Sequence, residues 1–320
     1  MGHACFLDAG SVGADLDFTR LEQAASTWSW HESTPASQVA ERIRDADIVV
    51  TNKVVLDADS LARAGRLRLI CVAATGVNNV DLAAASRHGI TVVNTVGYGT
   101  PAVVQHVFAL LLALATRLPE YRDAVRGGRW QQSTHFCPLD FPITELPGRT
   151  LGIIGLGELG GAVQHAARAF GMTTQVAARP DSVNIPDDRV ALPQLLEEAD
   201  AVTIHCPLTD ATRGLIGEAE LRLMKREAFL INTARGGIVD EAALAAALHA
   251  GEIAGAGVDV LTREPPVDSN PLLAPGIPNL IVTPHTAWAT RDARQRLIDQ
   301  VADSLQAFQA GSPRNVVTRA

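Results

Sequence analysis

The segment LGIIGLGELG, from Leu151 to Gly160, joins a short apolar run to a glycine-rich turn. The run Leu151–Ile154 has the composition of a buried parallel strand, and a helix-compatible segment, Gly161–Phe170, follows the turn. Glycine-rich turns are common, so a purely structural turn is the alternative. The order of strand, Gly-x-Gly-x-x-Gly and helix nevertheless favours a dinucleotide-binding site.

Each glycine of this turn has a physical task in such a site. Gly155 would allow the tight turn, Gly157 would let a pyrophosphate approach bare backbone, and Gly160 would let helix and strand pack closely. The helix N-terminus would offer free N–H groups and the positive end of its dipole to the phosphates. The predicted cofactor-binding residues therefore include Glu158 and Leu159 as well as the three glycines.

Length and composition narrow the class of protein. A chain of 320 residues is long for one hydrophobic core, so two domains are expected. An apolar content of 47% with only 19% charged residues is typical of a globular α/β protein. The net charge of −8 argues against general binding to nucleic acid or to anionic membranes.

Export and membrane signals are not expected either. The N-terminal residues MGHACFLDAG lack the basic start and apolar core of a signal peptide, and the most apolar run, Val107–Ala115, is too short to cross a bilayer. Cys5, Cys71, Cys137 and Cys206 form no C-x-x-C pair. This usage predicts reduced, mostly buried thiols in a cytoplasmic protein.

Strand and helix patterns alternate along the chain in two series, which predicts parallel sheets with helices on their faces. The first series contains strand candidates Ala4–Leu7, Ile48–Thr51, Leu69–Ala73 and Thr91–Val93, and helix candidates Ala36–Arg44 and Asp57–Ala64. The second series contains strand candidates Leu151–Ile154, Thr173–Ala177, Ala201–His205, Ala228–Asn232, Gly255–Val260 and Leu280–Thr283, and a helix candidate Glu241–Ala250 closed by Gly251.

Two long helical segments, roughly Pro101–Arg126 and Arg291–Gln309, are expected to join the two halves. Because the second follows the last strand, the chain should return to the first domain. We therefore predict an outer domain, 1–98 plus 290–320, into which a nucleotide-binding domain, 99–289, is inserted. The segment Gly127–Pro147 has little periodicity and predicts an ordered arm that lies on its own domain or on a partner subunit.

Three polar segments follow strands of the second series. They are Asn232–Gly237 (NTARGG), Val258–Pro266 (VDVLTREPP) and Thr283–Trp288 (TPHTAW). Ligands of an open parallel sheet lie beyond the carboxyl ends of its strands. We therefore expect these segments to converge on the same cleft edge as the glycine turn.

Arg235, Glu264 and His285 in these segments suit hydride transfer to a 2-oxo acid. Arg235 can hold a carboxylate and polarise the neighbouring carbonyl, and His285 can give or take a proton near neutral pH. Glu264 can fix the imidazole tautomer and favour its protonated form. Taken singly, they could be a turn cap, a solvated loop acid and a structural histidine. Their joint position after one glycine fingerprint favours catalysis.

Other catalytic motifs are missing from the sequence. It contains no H-E-x-x-H and no close His/Cys set, so no metal site is predicted. It contains no G-x-S-x-G elbow and no G-x-x-x-x-G-K-[ST] loop, which argues against a serine hydrolase and a nucleotide triphosphatase. His205-Cys206-Pro207 is interpreted as a strand end beside the cofactor, because Pro207 would stop the strand.

Together these motifs resemble the D-isomer-specific 2-hydroxyacid dehydrogenases over most of the chain. The similarity lies in Gly155–Gly160, His205–Thr209 (HCPLT), Asn232–Gly237, Glu264–Pro266 and Pro284-His285. It implies an NAD(P)-dependent dehydrogenase with two doubly wound parallel-sheet α/β domains. One would be a flavodoxin-like substrate domain and the other an inserted Rossmann domain, through which members of this family usually dimerise.

The resemblance also implies residue roles. The family's catalytic arginine, glutamate and histidine fall on Arg235, Glu264 and His285, and its carboxylate-binding loop matches Thr75 and Gly76. The remaining cofactor-binding positions that it implies are Thr100, Ala178, Arg179, His205, Cys206, Pro207, Thr212, Thr233, Ala234 and Asp259, with Arg235 and His285. Asp259 would lie near the amide group of the nicotinamide, and Thr100 would lie near the ribose and phosphate attached to the nicotinamide.

Within the family, Phe136–Pro142 and His285–Trp288 resemble the branch of glycerate dehydrogenases and hydroxypyruvate or glyoxylate reductases. This branch implies glyoxylate or hydroxypyruvate as the substrate. Trp288 would either pack at a domain joint or line the substrate pocket. Enzymes of formate, phosphite or a bulkier 2-hydroxy acid, and a dinucleotide-sensing module without turnover, are the alternatives.

The expected cofactor is NADP, with NAD possible. NAD enzymes usually carry an acidic residue after the second strand to bind the ribose 2′-hydroxyl. The matching position here is Ala178, followed by Arg179, which could pair with a 2′-phosphate. Asp181, close by, leaves the use of NAD open.

Overall fold

Two parallel sheets contain the strands of the described residues, which are 2–180, 182, 184–267 and 269–318 of a computed structural model. The strands are β1 (His3–Phe6), β2 (Thr27–Trp30), β3 (Ile48–Thr51), β4 (Leu69–Val72), β5 (Thr91–Asn94), β6 (Thr150–Ile154), β7 (Thr173–Val176), β8 (Ala201–Ile204), β9 (Phe229–Asn232), β10 (Gly255–Val258) and β11 (Leu280–Val282).

Helices follow most of these strands, as expected of doubly wound sheets. They are α1 (Thr19–Glu22), α2 (Val39–Ile43), α3 (Ala58–Ala62), α4 (Leu82–Arg87), α5 (Thr100–Ala115), α6 (Leu118–Arg126), α7 (Glu158–Ala169), α8 (Leu192–Glu198), α9 (Glu218–Leu223), α10 (Glu241–Ala250) and α11 (Arg291–Gln309). Short 3-10 turns occupy Ala9–Val12, Ala36–Gln38 and Pro271–Leu273. The predicted fold class, two parallel-sheet α/β domains, is confirmed.

The chain divides into two units, Met1–Gly99 with Trp288–Ala320, and Thr100–Ala287. The sequence-based boundaries were 98/99 and 289/290, so Gly99, Trp288 and Ala289 fall in the first unit rather than the second. That either unit is an independently folding domain stays a prediction.

In the first unit the strand order is β2-β1-β3-β4-β5, all parallel, which is the flavodoxin-like order. The edge strand β2, TWSW, had no counterpart in the sequence-based prediction. Its side chains are only partly buried, so it lacks the continuous aliphatic run that identified β3 and β4.

In the second unit the order is β11-β10-β9-β8-β6-β7, again all parallel. A single parallel bridge, Ala177 to Val190, extends this sheet beyond β7. With that bridge in the place of a third strand, the order matches the Rossmann fold with one further edge strand. The order reverses between β6 and β8, so the loops after these two strands flank the switch point where such folds bind ligands.

The helix expected over Pro101–Arg126 is wrong as a single helix. It is divided into α5 and α6, which differ in direction by 59°. Arg117 at the break has a φ of 54°, in the left-handed region, and Pro119 in the first turn of α6 has no N–H for the preceding turn. In the described part of the chain, no single helix meets the length and hydropathy of a membrane span, and only this bent pair does so jointly.

The four cysteines are free thiols in different surroundings. Burial raises the pKa of Cys5 to about 11 and that of Cys71 to about 12, so both are protonated at neutral pH. Cys206 is half-buried and Cys137 is exposed on the 127–147 segment. The expectation of mostly buried thiols is therefore wrong for Cys137.

Candidate active site

The glycine turn has the geometry expected of a phosphate cradle. Gly155 has a φ of 96°, and a Cβ there would lie 2.7 Å from the backbone nitrogen of Cys206. A Cβ on Gly160 would lie 2.1 Å from the carbonyl oxygen of Gly155, whereas one on Gly157 would meet no atom within 4 Å. The turn therefore packs tightly at Gly155 and Gly160 and leaves open space at Gly157.

The N-terminus of α7 faces this open space without a side-chain cap. Gly157 is its N-cap residue and has no side chain to satisfy the first N–H groups. The Glu158 carboxylate accepts a hydrogen bond of 2.6 Å from the hydroxyl of Thr100. The backbone amides at Glu158 and Leu159 are thus available to an anion, as the cofactor prediction requires.

Two buried polar atoms at neighbouring strand ends have no hydrogen-bond partner among the described residues. They are Oγ1 of Thr233, after β9, and Nδ1 of His205, after β8. Burial lowers the pKa of His205 to about 4, so the ring is neutral at pH 7, and its Nε2 lies 2.9 Å from Oγ1 of Thr203. Unpaired buried groups are rare in native proteins, so both atoms fit a site that a polar ligand completes.

The loop after β8 is closed by Thr212. Its hydroxyl donates to the carbonyl of Pro207 at 2.7 Å and accepts from the N–H of Thr209 at 2.7 Å. The strand ends at Ile204, one residue earlier than expected. The structure thus gives Thr212 a loop-ordering role, and its contact with a cofactor stays a prediction, as do those of Cys206 and Pro207.

The loop after β9 carries Arg235 and is built around Asn232. The buried Asn232 amide accepts from the N–H of Ala234 at 3.1 Å and donates to the carbonyl of Arg235 at 3.0 Å. The guanidinium of Arg235 donates to the carbonyl of Ala234 at 2.7 Å. A Cβ on Gly236 would lie 2.0 Å from the backbone of Leu261, so this loop touches the one that follows β10.

Glu264 and His285, predicted from the sequence to be an acid–base pair, lie in contact, and their catalytic role stays a prediction. Nδ1 of His285 lies 2.6 Å from Oε2 of Glu264, while Oε1 of Glu264 accepts from the N–H of Leu261 at 2.8 Å. Both side chains are partly exposed. The backbone of His285 has a φ of 54°, a left-handed conformation uncommon for residues other than glycine.

Asp259, expected near the nicotinamide, is 1% exposed. Its carboxylate accepts hydrogen bonds from the hydroxyl of Thr283 and from the N–H groups of Thr286 and Ala287. Most of its hydrogen-bonding capacity therefore goes to the loop that carries His285. A direct contact of Asp259 with the cofactor stays a prediction.

Ala178 and Arg179 follow β7, next to the glycine turn in the sheet order. The N–H of Ala178 donates to the carbonyl of Val190 at 2.8 Å, and Arg179 is exposed. Within the described ranges, no hydrogen bond or ion pair involves the Arg179 side chain. Asp181 lies outside the described residues.

Thr75 and Gly76, expected to bind the substrate carboxylate, belong to the first unit. The hydroxyl of Thr75 donates to the carbonyl of Thr95 at 2.9 Å, and the amide of Asn94 donates to the carbonyl of Thr75 at 2.7 Å. These bonds fix the loop after β4 against the end of β5. The role of the loop in substrate binding stays a prediction. Trp288 also lies in this unit, edge-on to Tyr98 with ring centroids 6.2 Å apart.

The second unit therefore presents six loops at one edge of its sheet. The glycine turn and the segments with Arg179, His205, Arg235, Glu264 and His285 each follow the carboxyl end of a parallel strand. Sequence reasoning included Asn232, Gly236 and Thr283 in these segments without giving them a role, and it missed His106; the contacts of these four residues hold the loops. No group of three His, Cys, Asp or Glu side chains suited to a metal ion occurs in the described ranges.

Comparisons with known proteins agree with this geometry. The family profile described as "D-isomer specific 2-hydroxyacid dehydrogenase, NAD binding domain" matches residues 108–287. The glycerate dehydrogenase of Methylorubrum extorquens is 46% identical over 316 residues, with 98% of each chain covered. Other relatives are described as hydroxypyruvate reductases and glyoxylate reductases.

Two solved structures extend the similarity to the fold. The TT0316 protein of Thermus thermophilus superposes with a TM-score of 0.87 at 34% identity, covering 98% of this chain and 99% of that one. The NADPH-dependent glyoxylate/hydroxypyruvate reductase of Sinorhizobium meliloti, solved with NADP and malonate, gives 0.81 at 29% identity, covering 98% and 96%. The chain belongs to the D-isomer-specific 2-hydroxyacid dehydrogenase family of NAD(P)-dependent oxidoreductases.

Proposed function

We propose that this chain reduces glyoxylate to glycolate and hydroxypyruvate to D-glycerate, and catalyses the reverse oxidations. The observation that carries the proposal is the 2.6 Å contact between His285 and Glu264 on the edge of the sheet that also holds the glycine cradle. The activities for which the Methylorubrum and Sinorhizobium relatives are named support the choice of substrates.

His285 is the proposed acid and base. With Nδ1–H donating to Glu264, Nε2 remains for proton exchange with the substrate oxygen. The carboxylate of Glu264 fixes the ring orientation and stabilises the imidazolium that donates the proton. In oxidation, the neutral ring accepts the same proton from the hydroxyl group.

Arg235 is the proposed anchor of the substrate carboxylate. Its guanidinium uses one N–H on the carbonyl of Ala234, which leaves further donors for an anion. A planar fork binds a carboxylate in a fixed orientation, so the adjacent carbonyl carbon is held in one position. Thr75 and Gly76 are proposed to bind the substrate through backbone N–H groups.

A bound reduced nicotinamide supplies the hydride that adds to the carbonyl carbon. The residues of this chain bind and orient it. The glycine turn and the first amides of α7 would hold the phosphates, and Thr233 and His205 would receive polar groups at their unpaired atoms. Arg179 would lie beside the ribose that carries the 2′-hydroxyl or 2′-phosphate group.

A panel assay tests the proposed activity. Loss of reduced-nicotinamide absorbance is followed with glyoxylate, hydroxypyruvate, pyruvate and a branched 2-oxo acid, with both cofactors, and formate and phosphite are tested in the oxidative direction. We expect the highest kcat/KM for glyoxylate or hydroxypyruvate. Turnover confined to formate, phosphite or the branched acid would replace the substrate assignment, and cofactor binding without any turnover would favour a sensing module.

We propose further that the cofactor is NADP in preference to NAD. The exposed Arg179 can pair with a 2′-phosphate, and Ala178 offers no carboxylate to repel it. A charge-assisted contact of this kind contributes roughly 1.5–3 kcal/mol, or about ten- to a hundredfold in affinity.

Side-by-side kcat/KM values for NADPH and NADH test this preference. Arg179→Ala should remove most of it, Ala178→Asp should shift it towards NADH, and Arg168→Ala, at an exposed arginine in the last turn of α7, should leave it unchanged. A parent enzyme that prefers NADH several-fold would exclude the NADP assignment but not the hydride transfer.

A homodimer is proposed on the evidence of the arm, residues 127–147. The arm is ordered by hydrogen bonds within itself and with α6: Trp130 donates to the carbonyl of Phe136 at 2.8 Å, and Tyr121 of α6 donates to that of Phe141 at 2.8 Å. It nevertheless exposes 93% of Phe136 and 82% of Leu139. Neighbouring exposed apolar side chains on an ordered segment are typical of an interface.

Sedimentation velocity tests the oligomeric state. The parent should sediment as a dimer, and the double variant Phe136→Ser, Leu139→Ser should sediment as a folded monomer. Val55→Ser, at an exposed valine in the first unit, is the control and should remain dimeric. A monomeric parent at micromolar concentration would contradict the proposal.

A further inference from the structure

Asp259 holds the loop that carries His285 on both sides of the histidine. Its Oδ1 accepts from the hydroxyl of Thr283 at 2.5 Å and from the N–H of Thr286 at 2.9 Å, and its Oδ2 accepts from the N–H of Ala287 at 2.9 Å. Its backbone carbonyl accepts from the N–H of His285 itself at 2.8 Å. Asp259 thus accepts four hydrogen bonds from residues between 283 and 287 and holds this segment in place.

This fixation matters because the backbone of His285 is in an uncommon conformation. A φ of 54° is unfavourable for a residue with a Cβ, and such conformations persist where the surroundings determine them. Among the described residues, the side chain of His285 has one hydrogen-bond partner, the carboxylate of Glu264. The position of the other ring nitrogen therefore depends on the backbone that Asp259 holds.

The chain of hydrogen bonds continues beyond Asp259 to helix α5. Nε2 of His106 lies 2.9 Å from Oγ1 of Thr283 and 3.5 Å from Oδ1 of Asp259. Since the Thr283 hydroxyl donates to the carboxylate, it accepts from the N–H of His106. The relay His106, Thr283, Asp259 thus joins a long helix to the loop of the proton donor.

We propose that His106 and Thr283 are positioning residues that act through Asp259 to hold His285 in its catalytic orientation. The inference rests on the proposed role of His285 as acid and base. Neither residue needs to contact substrate or cofactor. Both would affect the proton-transfer step. Substrate and cofactor binding would stay unchanged, because the two residues orient the His285 ring without contacting either ligand.

Thr283→Val tests this inference, because it keeps the shape of the side chain and removes its hydroxyl. We expect kcat to fall about tenfold while the dissociation constant of the cofactor and the KM of the 2-oxo acid stay within twofold, since misplacement of a reacting group by about 1 Å costs up to a hundredfold. Thr283→Ser should restore most of kcat. Thr150→Val is the matched control, since its hydroxyl pairs with Thr173 at the opposite end of the sheet.

His106→Leu should reproduce the loss, and His106→Gln should restore part of it because the Gln side chain can place an N–H near the position of Nε2. Equal stability of the Leu and Gln variants in thermal unfolding shows that the difference in kcat is not a folding effect. Wild-type kcat in Thr283→Val, or an equal loss in Thr150→Val, would overturn the inference.

A double-variant cycle separates this inference from the proposed function. In a His285→Ala background, Thr283→Val should cause no further loss, because the group that it positions is gone. A further tenfold loss in that background would show that Thr283 acts elsewhere. If His285→Ala itself retains parental turnover, the proposed proton donor is wrong, whatever Thr283 does.

Discussion

Gly236→Ala should separate the loops that carry Arg235 and Glu264. The added Cβ would lie 2.0 Å from both the carbonyl carbon and oxygen of Leu261 and 2.4 Å from the nitrogen of Thr262. Gly236 has no positive φ, so the obstacle is space and not backbone conformation. To restore an ordinary contact of 3.4 Å, the two loops must move apart by about 1.4 Å.

The size of the effect follows from what the two loops hold. Arg235 directly precedes the glycine, and the N–H of Leu261 is bound by Oε1 of Glu264. A shift of this size moves the carboxylate anchor relative to the acid–base pair. Misplacement by about 1 Å can cost a hundredfold, so we expect kcat/KM to fall by about that factor, or roughly 2.7 kcal/mol of transition-state stabilisation. Overpacking should also lower the free energy of unfolding by about 1–3 kcal/mol.

The assay compares kcat/KM for hydroxypyruvate at saturating cofactor with the cofactor dissociation constant from fluorescence titration. The cofactor constant should change far less than kcat/KM. Gly65→Ala is the matched control, because Gly65 has no atom within 4 Å of its added Cβ and no positive φ. A folded Gly236→Ala enzyme with parental kcat/KM would refute the close approach of the two loops as a condition of catalysis.

Three further predictions concern single side chains. Arg235→Lys keeps the charge but loses the planar fork, so 2-oxo acid turnover should fall by at least tenfold with little change in cofactor binding, as steady-state kinetics and titration would show. Glu264→Gln removes the carboxylate 2.6 Å from Nδ1 of His285, so the pH profile of the reductive kcat should move towards acid, and an unmoved profile would exclude Glu264 from proton transfer. His205→Asn should flatten the pH dependence of stability. The pKa of His205 is about 4 in the folded chain against an ordinary 6.5, so the unfolded chain binds the extra proton between these values. The free energy of unfolding is therefore highest above pH 6.5 and falls, by at most about 3 kcal/mol, as the pH drops towards 4. Urea unfolding of the parent and the variant across this pH range would measure the difference.

The sequence predicted those elements whose local signals are strong. Helix α11 runs from Arg291 to Gln309 as expected, because Thr290 caps it by accepting from the N–H of Ala293 and one face is apolar. Strands β3 and β9 were predicted because each is a short, mostly apolar run that is buried throughout. The edge strand β2, with its partly exposed tryptophans, and the single bridge at Val190 carry no such signal.

The candidate site likewise contains residues that the sequence could identify and residues that it could not. Arg235, Glu264 and His285 lie in short motifs with recognisable chemistry, so the sequence alone identified them as candidates. The residues that hold these three side chains have no such recognisable chemistry, even where they lie within the same motifs. His106 and Thr283 are 177 positions apart, and Gly236 is one of 26 glycines. Only the fold shows that these residues touch the loops of the site.

The central claim is that His285 protonates the substrate oxygen during hydride transfer. The most direct measurement is the rate of reduced-nicotinamide oxidation with hydroxypyruvate in a single turnover, for the parent and for His285→Ala at matched cofactor saturation. A positioned proton donor contributes about 10²- to 10⁴-fold, so His285→Ala should lose that much while its cofactor dissociation constant stays unchanged. A variant that turns over at the parental rate would contradict the account.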